Sequence, residues 1–249
     1  MRNHEPPSTG RLPPTLCAGL TLLVLMLQPT PARADGLAMR VLRFLGVTAS
    51  PGQMKGDAGP GGAGQIFVAD LAQGTQRALA QRGQYQWPIF SLDGKSIYAL
   101  EKDGSVVTLS VDAGKVLRRQ KVAGLKKLVG VDRERPDELL VLRQDPSAPV
   151  ALLALSTSKV TPLPFDPQDE EQRRILSHLE NEERVYGGTR VFVQTESKSA
   201  MEGTREWEEI YLQVAGVAPH AVSNCSGGNC REPALSADGQ RAAYIRVQR

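Results

Sequence analysis

"WPIFSLDGKSIYAL", residues 87–100, and "EPALSADGQRAAYI", residues 232–245, are two copies of one pattern. In each, an apolar stretch runs into Ser-x-Asp-Gly, a polar residue or two follows, and a second apolar stretch begins. Glycine supplies the positive φ of a tight reversal without a steric penalty, and aspartate tolerates it. Each copy therefore reads as two strands around a turn, with Asp93, Gly94, Asp238 and Gly239 as structural turn positions. The likeness extends upstream. "QIFVAD" (65–70) and "EEIYLQV" (208–214) precede the two copies, Ile66 lying 27 positions before Asp93 and Ile210 lying 28 before Asp238.

Between the copies the chain is a series of short β segments and turns. "SVVTLSVDAGKVLRRQKV", "KLVGVDRERPDELLVL", "APVALLALSTSKVTPLP" and "RVYGGTRVFVQ" each place strands around a polar break. Asp93 and Asp238 are 145 residues apart, so three units would average about 48 residues, just above a propeller blade. The excess fits "DPQDEEQRRILSHLENEER" (166–184), a helical pattern with Asp166 as cap, Pro167 at the first helical position and Ile175, Leu176 and Leu179 as a narrow apolar face. This helix is expected as an insertion between two strands of one blade. An isolated hairpin is marginal in water and a four-stranded blade cannot bury both faces alone. Radial stacking of blades solves both problems. The expected fold is all-β, a propeller of about four four-stranded blades over residues 65–249, closed by pairing of the last hairpin with strands in 65–80. A β-sandwich is the alternative.

At these residues the chain resembles the TolB-type, WD40-like β-propeller repeat, in which a strand-final aromatic leads through Ser-Pro-Asp-Gly into a second strand. Here the pattern stands as Phe90-Ser91-Leu92-Asp93-Gly94 before Ile97-Tyr98, and as Leu235-Ser236-Ala237-Asp238-Gly239 before Ala242-Ala243-Tyr244. Ile66-Phe67-Val68 and Ile210-Tyr211-Leu212 are similar to the partner strand. The proline is missing from both copies, and the likeness is confined to the repeats. It implies a propeller, often extracytoplasmic and often protein-binding.

Residues 1–34 read as a signal peptide: Arg2 and Arg11, the apolar run Leu16–Leu27, then Ala32-Arg33-Ala34 before a start at Asp35. The run is too short to span a bilayer easily. A periplasmic or extracellular chain without a transmembrane segment follows. Removing the leader leaves 27 basic against 26 acidic side chains, a net charge near +1. Residues 35–64 read as an N-terminal segment and Gly-rich linker, within which 37–47 could form a strand or an amphipathic helix. The G-x-G-x-x-G at Gly59, Gly61 and Gly64 holds Pro60 and precedes a β-prone stretch, so it is not a phosphate loop.

The basic run Arg118, Arg119, Lys121, Lys126 and Lys127 lacks the aromatics of a nucleic-acid site and reads as a solvated sheet edge. Cys225 and Cys230, in "NCSGGNC", read as a disulfide in an exported chain. With His220 they would make only three metal ligands, where structural zinc takes four. Asn224-Cys225-Ser226 also fits an N-glycosylation site.

No catalytic residues, metal or cofactor are assigned from the sequence. His178 falls on the helix and His220 in a loop, with no nucleophile elbow. Asp169, Glu170 and Glu171, and again Glu206, Glu208 and Glu209, read as solvated acidic faces without calcium-loop spacing. Residues 195–210, "TESKSAMEGTREWEEI", read as a long polar connection, with Trp207 and Met201 as candidate partner-binding residues. The expected function is non-enzymatic binding of an envelope protein partner. The rivals are a propeller hydrolase or lyase with its site at the central channel, and a homodimer that completes the ring.

Overall fold

The computed structural model describes residue 37 and residues 62–79, 83–181, 183–186, 188–201 and 203–248. The leader, most of the 35–64 segment, Gly59 and Gly61 lie outside the described residues. The first hairpin, β1 (Gln65–Asp70) and β2 (Thr75–Ala78), belongs to a sheet finished by the end of the chain. β3 (Tyr85–Phe90), β4 (Ser96–Glu101), β5 (Ser105–Ser110) and β6 (Val116–Lys121) form blade 1. β7 (Leu125–Val131), β8 (Glu138–Arg143), β9 (Val150–Ala154) and β10 (Lys159–Pro162) form blade 2. After α1 (Glu170–Glu180), blade 3 comprises β11 (Arg184–Tyr186), β12 (Thr189–Ala200), β13 (Gly203–Val214) and β14 (His220–Ala221). β15 (Gly228–Leu235) and β16 (Arg241–Gln248) complete blade 4 in the order β15-β16-β1-β2.

These four four-stranded antiparallel sheets are the blades of a propeller. The two chain ends share blade 4, where β1 pairs with β16 in unbroken register from Gln65↔Arg246 to Asp70↔Arg241. β3, β7, β11 and β15 are the inner strands, and all four line one central cavity. The middle strands explain why the sequence lacks clean alternation. Leu139 to Leu142 of β8 are all buried, because a blade packs on both faces and needs apolar residues on both. The outer strands are short and polar, as edges exposed to solvent must be: β2 is exposed throughout, and β6 keeps only Gln120 covered.

The Ser-x-Asp-Gly turns are built alike. In the first, Gly94 N–H donates to Ser91 O (2.9 Å) and Gly94 holds φ 66°. Asp93 is not in the left-handed region; its Oδ1 instead accepts from Ser91 Oγ (2.6 Å) and Lys95 N (3.0 Å). Ser236, Asp238, Gly239 and Gln240 repeat each contact, with Gly239 at φ 69°.

α1 departs from expectation twice. Its N-cap is Asp169, whose Oδ1 accepts from Glu171 N and Gln172 N, while Asp166 serves a preceding turn by accepting from Gln168 N. And it lies between blades, joining the outermost strand of blade 2 to the innermost of blade 3. Ile175, Leu176 and buried Leu179 cover Leu140, Leu142, Val150 and Leu163, the face of blade 2 turned away from blade 1, together with Leu37.

Lys127 overturns the reading of a wholly solvated basic run. It is 2% exposed, its Nζ lies 4.1 Å from the Trp87 ring centroid, and it donates to Glu180 O (2.9 Å) and Asn181 O (2.8 Å) at the C-terminal end of α1. A helix C-terminus carries partial negative charge, so a cation belongs there. Trp87 N–H in turn donates to the carboxylate of Glu232, which is 1% exposed. Glu232 in blade 4, Trp87 in blade 1, Lys127 in blade 2 and the end of α1 thus form one continuous array, buried at Glu232 and Lys127 and half-buried at Trp87. Trp87 (φ 51°) and Glu232 (φ 55°) both occupy left-handed backbone at equivalent β-bulges, 145 residues apart like the two turns.

Candidate functional site

The hub cavity lies where the inner strands end. Ile89, Phe90, Ser91 and Leu92 come from β3 and its turn, Val129, Gly130, Val131 and Arg133 from β7, Arg184, Val185 and Tyr186 from β11, and Ala234, Leu235 and Ala237 from β15. Its volume is about 100 Å³, room for one modest side chain. The walls are mostly aliphatic. The polar side chains of the lining are Ser91, Arg133, Arg184 and Tyr186, with the Arg133 guanidinium 5.1 Å from the Tyr186 ring centroid. Arg184 is engaged with Asn181 O (2.7 Å) and Glu183 O (2.9 Å), whereas Arg133 is exposed. No acidic residue or histidine lines the cavity among the described residues. This lining can receive an apolar side chain and pair Arg133 with an anionic one.

The second feature stands at the opposite end of blade 3. Residues 195–210 are not a loop. β12 and β13 pair without interruption from Thr189↔Val214 to Ala200↔Gly203, whereas β11 reaches only to Val191 and β14 only from Tyr211. The excess projects as a two-stranded ribbon. Met201 sits at its tip, fully exposed. Trp207 lies at the root, opposite Glu196, half-buried, with Nε1 donating to Glu209 Oε1 (2.9 Å).

The ribbon root is braced by the loop that the Cys225–Cys230 disulfide closes. Glu209 belongs to a cluster expected to be solvated, yet it is 6% exposed. Its carboxylate accepts from Cys225 N (2.7 Å), Ser223 Oγ and Trp207 Nε1. Arg231 pairs with Glu208, and Asn229 Oδ1 accepts from Glu208 N (3.3 Å). Glu196 accepts from the Tyr211 hydroxyl, which holds that phenol up at about 12. The fold brings Glu209, and not His220, to the cysteines, and the three ligand-type atoms lie within 4.8 Å of one another. Joined in a disulfide, the sulfurs offer no thiolate, and the carboxylate is spent on three donors. His220 stands exposed on β14 and His178 exposed on α1, in separate blades' peripheries.

Trp207 and Met201 do not line the hub, so the candidates from the sequence and the cavity are distinct surfaces. Sequence reading missed the cavity because its lining comes from four strands spread between residues 89 and 237. The repeated Phe90-Ser91 and Leu235-Ser236 steps were the signal that these positions share an environment.

No family model and no curated protein sequence matches this chain. Solved structures similar to it include one described as TolB from Agrobacterium tumefaciens, at 15% identity over 72% of this chain and 60% of that one, with a TM-score of 0.35. A dihydro-heme d1 dehydrogenase NirN, solved in complex with DHE, is 17% identical over 86% of this chain and 43% of that one, at a TM-score of 0.28. The β-propeller domain of Cps50 (Swd1) from Myceliophteria thermophila is 14% identical over 70% and 60%, at a TM-score of 0.27. This chain spans less than two thirds of the length of each. The fold stands on the four sheets and their shared hub.

Proposed function

We propose that this chain is a non-enzymatic, protein-binding propeller of the cell envelope, and that the mouth of the hub receives an acidic segment of its partner. The observation that carries this reading is the lining itself: aliphatic walls of about 100 Å³ with Arg133 exposed at the rim. An apolar side chain would fill the cavity, and a neighbouring carboxylate would pair with Arg133 in the bidentate geometry that guanidinium favours. Export is supported by the apolar N-terminal run and by a disulfide, which persists in oxidising compartments. Among the described residues no helix is long and apolar enough to cross a membrane. Met201 and Trp207 form a second contact, the first as an exposed apolar tip and the second as an anchor held by Glu209.

The test is capture of the full chain from its own host's envelope after mild cross-linking, with subcellular fractionation beside it. A stoichiometric partner retained by wild type, weakened by Arg133→Lys, which keeps the charge but not the fork, and lost with Arg133→Glu is the expected result. Retention by Arg133→Glu would move the contact away from the hub. Loss only with Trp207→Ala would place it on the ribbon. Absence of any partner would overturn the binding reading.

A further inference from the structure

The free edge of the β12–β13 ribbon has a feature that the hub reading does not use. Along β13, Ile210 N–H donates to Ser223 Oγ (2.8 Å) and Glu208 N–H donates to Asn229 Oδ1 (3.3 Å). Both amides therefore point away from β12. In antiparallel pairing the two residues of such a pair turn their backbone groups outward together, and the pairs alternate. Val193↔Ile210 and Thr195↔Glu208 are outward pairs, so Ser197 and Ser199 on β12 belong to the same class. The N–H and C=O groups of Val193, Thr195, Ser197 and Ser199 face the edge that β11 leaves at Val191. Among the described residues no strand pairs with β12 beyond that point.

Such an edge is a template for another strand. Its own sequence fits it. An antiparallel copy of β12 centred on Ser197 sets Ser197 opposite Ser197, Thr195 opposite Ser199, and Glu196 opposite Lys198. Ser197 and its two flanking pairs then exchange backbone hydrogen bonds. Glu196 and Lys198 fall in the intervening pairs, where side chains approach closest and opposite charges are favourable. Lys198 is exposed and Glu196 half-buried. A register shifted by two residues in either direction loses both of these charge pairs. The small hydroxyl side chains on the other face offer no bulk to block the approach.

We propose that two copies of this chain associate through their ribbons, β12 against β12 about a two-fold axis at Ser197, making a continuous four-stranded sheet from two ribbons. The contact is small and polar, of the weak and transient class. It buries no apolar core, and its specificity comes from charge register. The ribbon is braced at its root by Glu209, Arg231 and the disulfide loop, so the edge is presented before association and little ordering opposes it.

The experiment is sedimentation equilibrium of the full chain across a micromolar to sub-millimolar series, with four variants. Wild type should show a monomer–dimer equilibrium. Lys198→Glu puts four carboxylates at the seam and Glu196→Lys puts four ammonium groups there, so each alone should weaken dimerisation by at least about tenfold. An equimolar mixture of the two restores both opposite-charge pairs and should dimerise as wild type does. Ser197→Pro removes the central donor and should abolish the dimer. Ser197→Cys should cross-link to itself on oxidation, because the Cα separation of a hydrogen-bonded pair, about 5.5 Å, lies within disulfide range. A wild type that is monomeric throughout, charge variants that dimerise unchanged, or a mixture that fails to recover would each overturn the proposal.

Discussion

Lys127→Met tests whether the array at the base of the inner strands holds the blades together. The ammonium makes two charge-assisted bonds to the end of α1, each worth roughly 1.5–3 kcal/mol. Its place over Trp87 adds about 0.5–2 kcal/mol. Against this stands a desolvation cost of several kcal/mol, on the order of 3–5, for an ammonium that is almost wholly covered. Methionine keeps the volume but leaves Glu180 O and Asn181 O without this donor. The balance is a loss of about 1–3 kcal/mol, and about 3–5 for Lys127→Ala, which adds a cavity. In a chain of this size each kcal/mol moves Tm by about 2–4 °C. Urea unfolding followed by near-ultraviolet circular dichroism and by fluorescence gives the energies. A double-mutant cycle with Trp87→Leu isolates the ring contact, with a coupling of about 0.5–2 kcal/mol expected. Hydrogen exchange of the α1 amides should speed up selectively, since Lys127 ties the helix to β7. A Lys127→Met protein as stable as wild type, with α1 protected as before, would refute the reasoning and show that desolvation outweighs the contacts.

The three turn glycines should rank by what a Cβ would meet. Gly239→Ala meets open space and costs only the left-handed penalty of about 1–2 kcal/mol, Gly94→Ala must also displace the end of Arg241 (2.3 Å), and Gly114→Ala drives into Leu79 O (1.9 Å). Equal losses across the three, read by urea midpoints, would sink the steric argument. Replacing Cys225 and Cys230 together by serine should cost about 2 kcal/mol on the chain-entropy account, and an unmoved midpoint would show the brace to be redundant. The hydroxyls of Ser91 and Ser236 hold the carboxyls of Asp93 and Asp238 below their ordinary 3.8. A depressed folded value contributes stability above the unfolded pKa and loses it as pH falls through the folded one. Asp93→Asn with Asp238→Asn should therefore flatten the decline of Tm below about pH 4, and an unchanged acid limb would count against it.

What could be read in the sequence was what is local. Ser-x-Asp-Gly carries its turn within five residues, and the blade count follows from its spacing. The ring closure is legible too, because residues 65–80 supply only two strands of a blade and the last hairpin supplies the other two. What failed was whatever depends on a distant neighbour. Lys127 sits among lysines and arginines that are indeed exposed, and bulges at Leu125/Lys127 and Leu128/Gly130 break the alternation that could have marked it as inward. Within the acidic cluster Glu206 is exposed, Glu208 is half-buried against Arg231, and Glu209 is buried because it faces Cys225, sixteen residues on. The ribbon read as a loop because strands that leave the blade have no apolar face to show. The position of α1 between blades is not legible because β10, with Lys159, Thr161 and Pro162 exposed, gives little sign that a blade ends there.

The two ends of the propeller are built on different terms. Inner strands of a propeller all run the same way, so every turn that follows one gathers at the hub mouth. The turns after β3 and β15 rest on glycine, which takes φ 66–69° at no steric cost, and on serine and aspartate side chains that close the turn locally; the turn after β7, which carries Arg133, is closed by Asp132 Oδ1 accepting from Glu134 N and Arg135 N. They ask little of their neighbours. The opposite end holds Trp87 and Glu232 in left-handed backbone that residues with a Cβ adopt at a cost of about 1–3 kcal/mol each. That strain persists because each is held by the other: the carboxylate of Glu232 receives the amide of Trp87, and the Trp87 ring covers Lys127. The base is thus a mutually dependent array, and the mouth is a set of independent turns around a small cavity. Recognition at the mouth can change residue by residue, at Arg133 above all, without loosening the ring. A change at Glu232 or Lys127 reaches three blades at once.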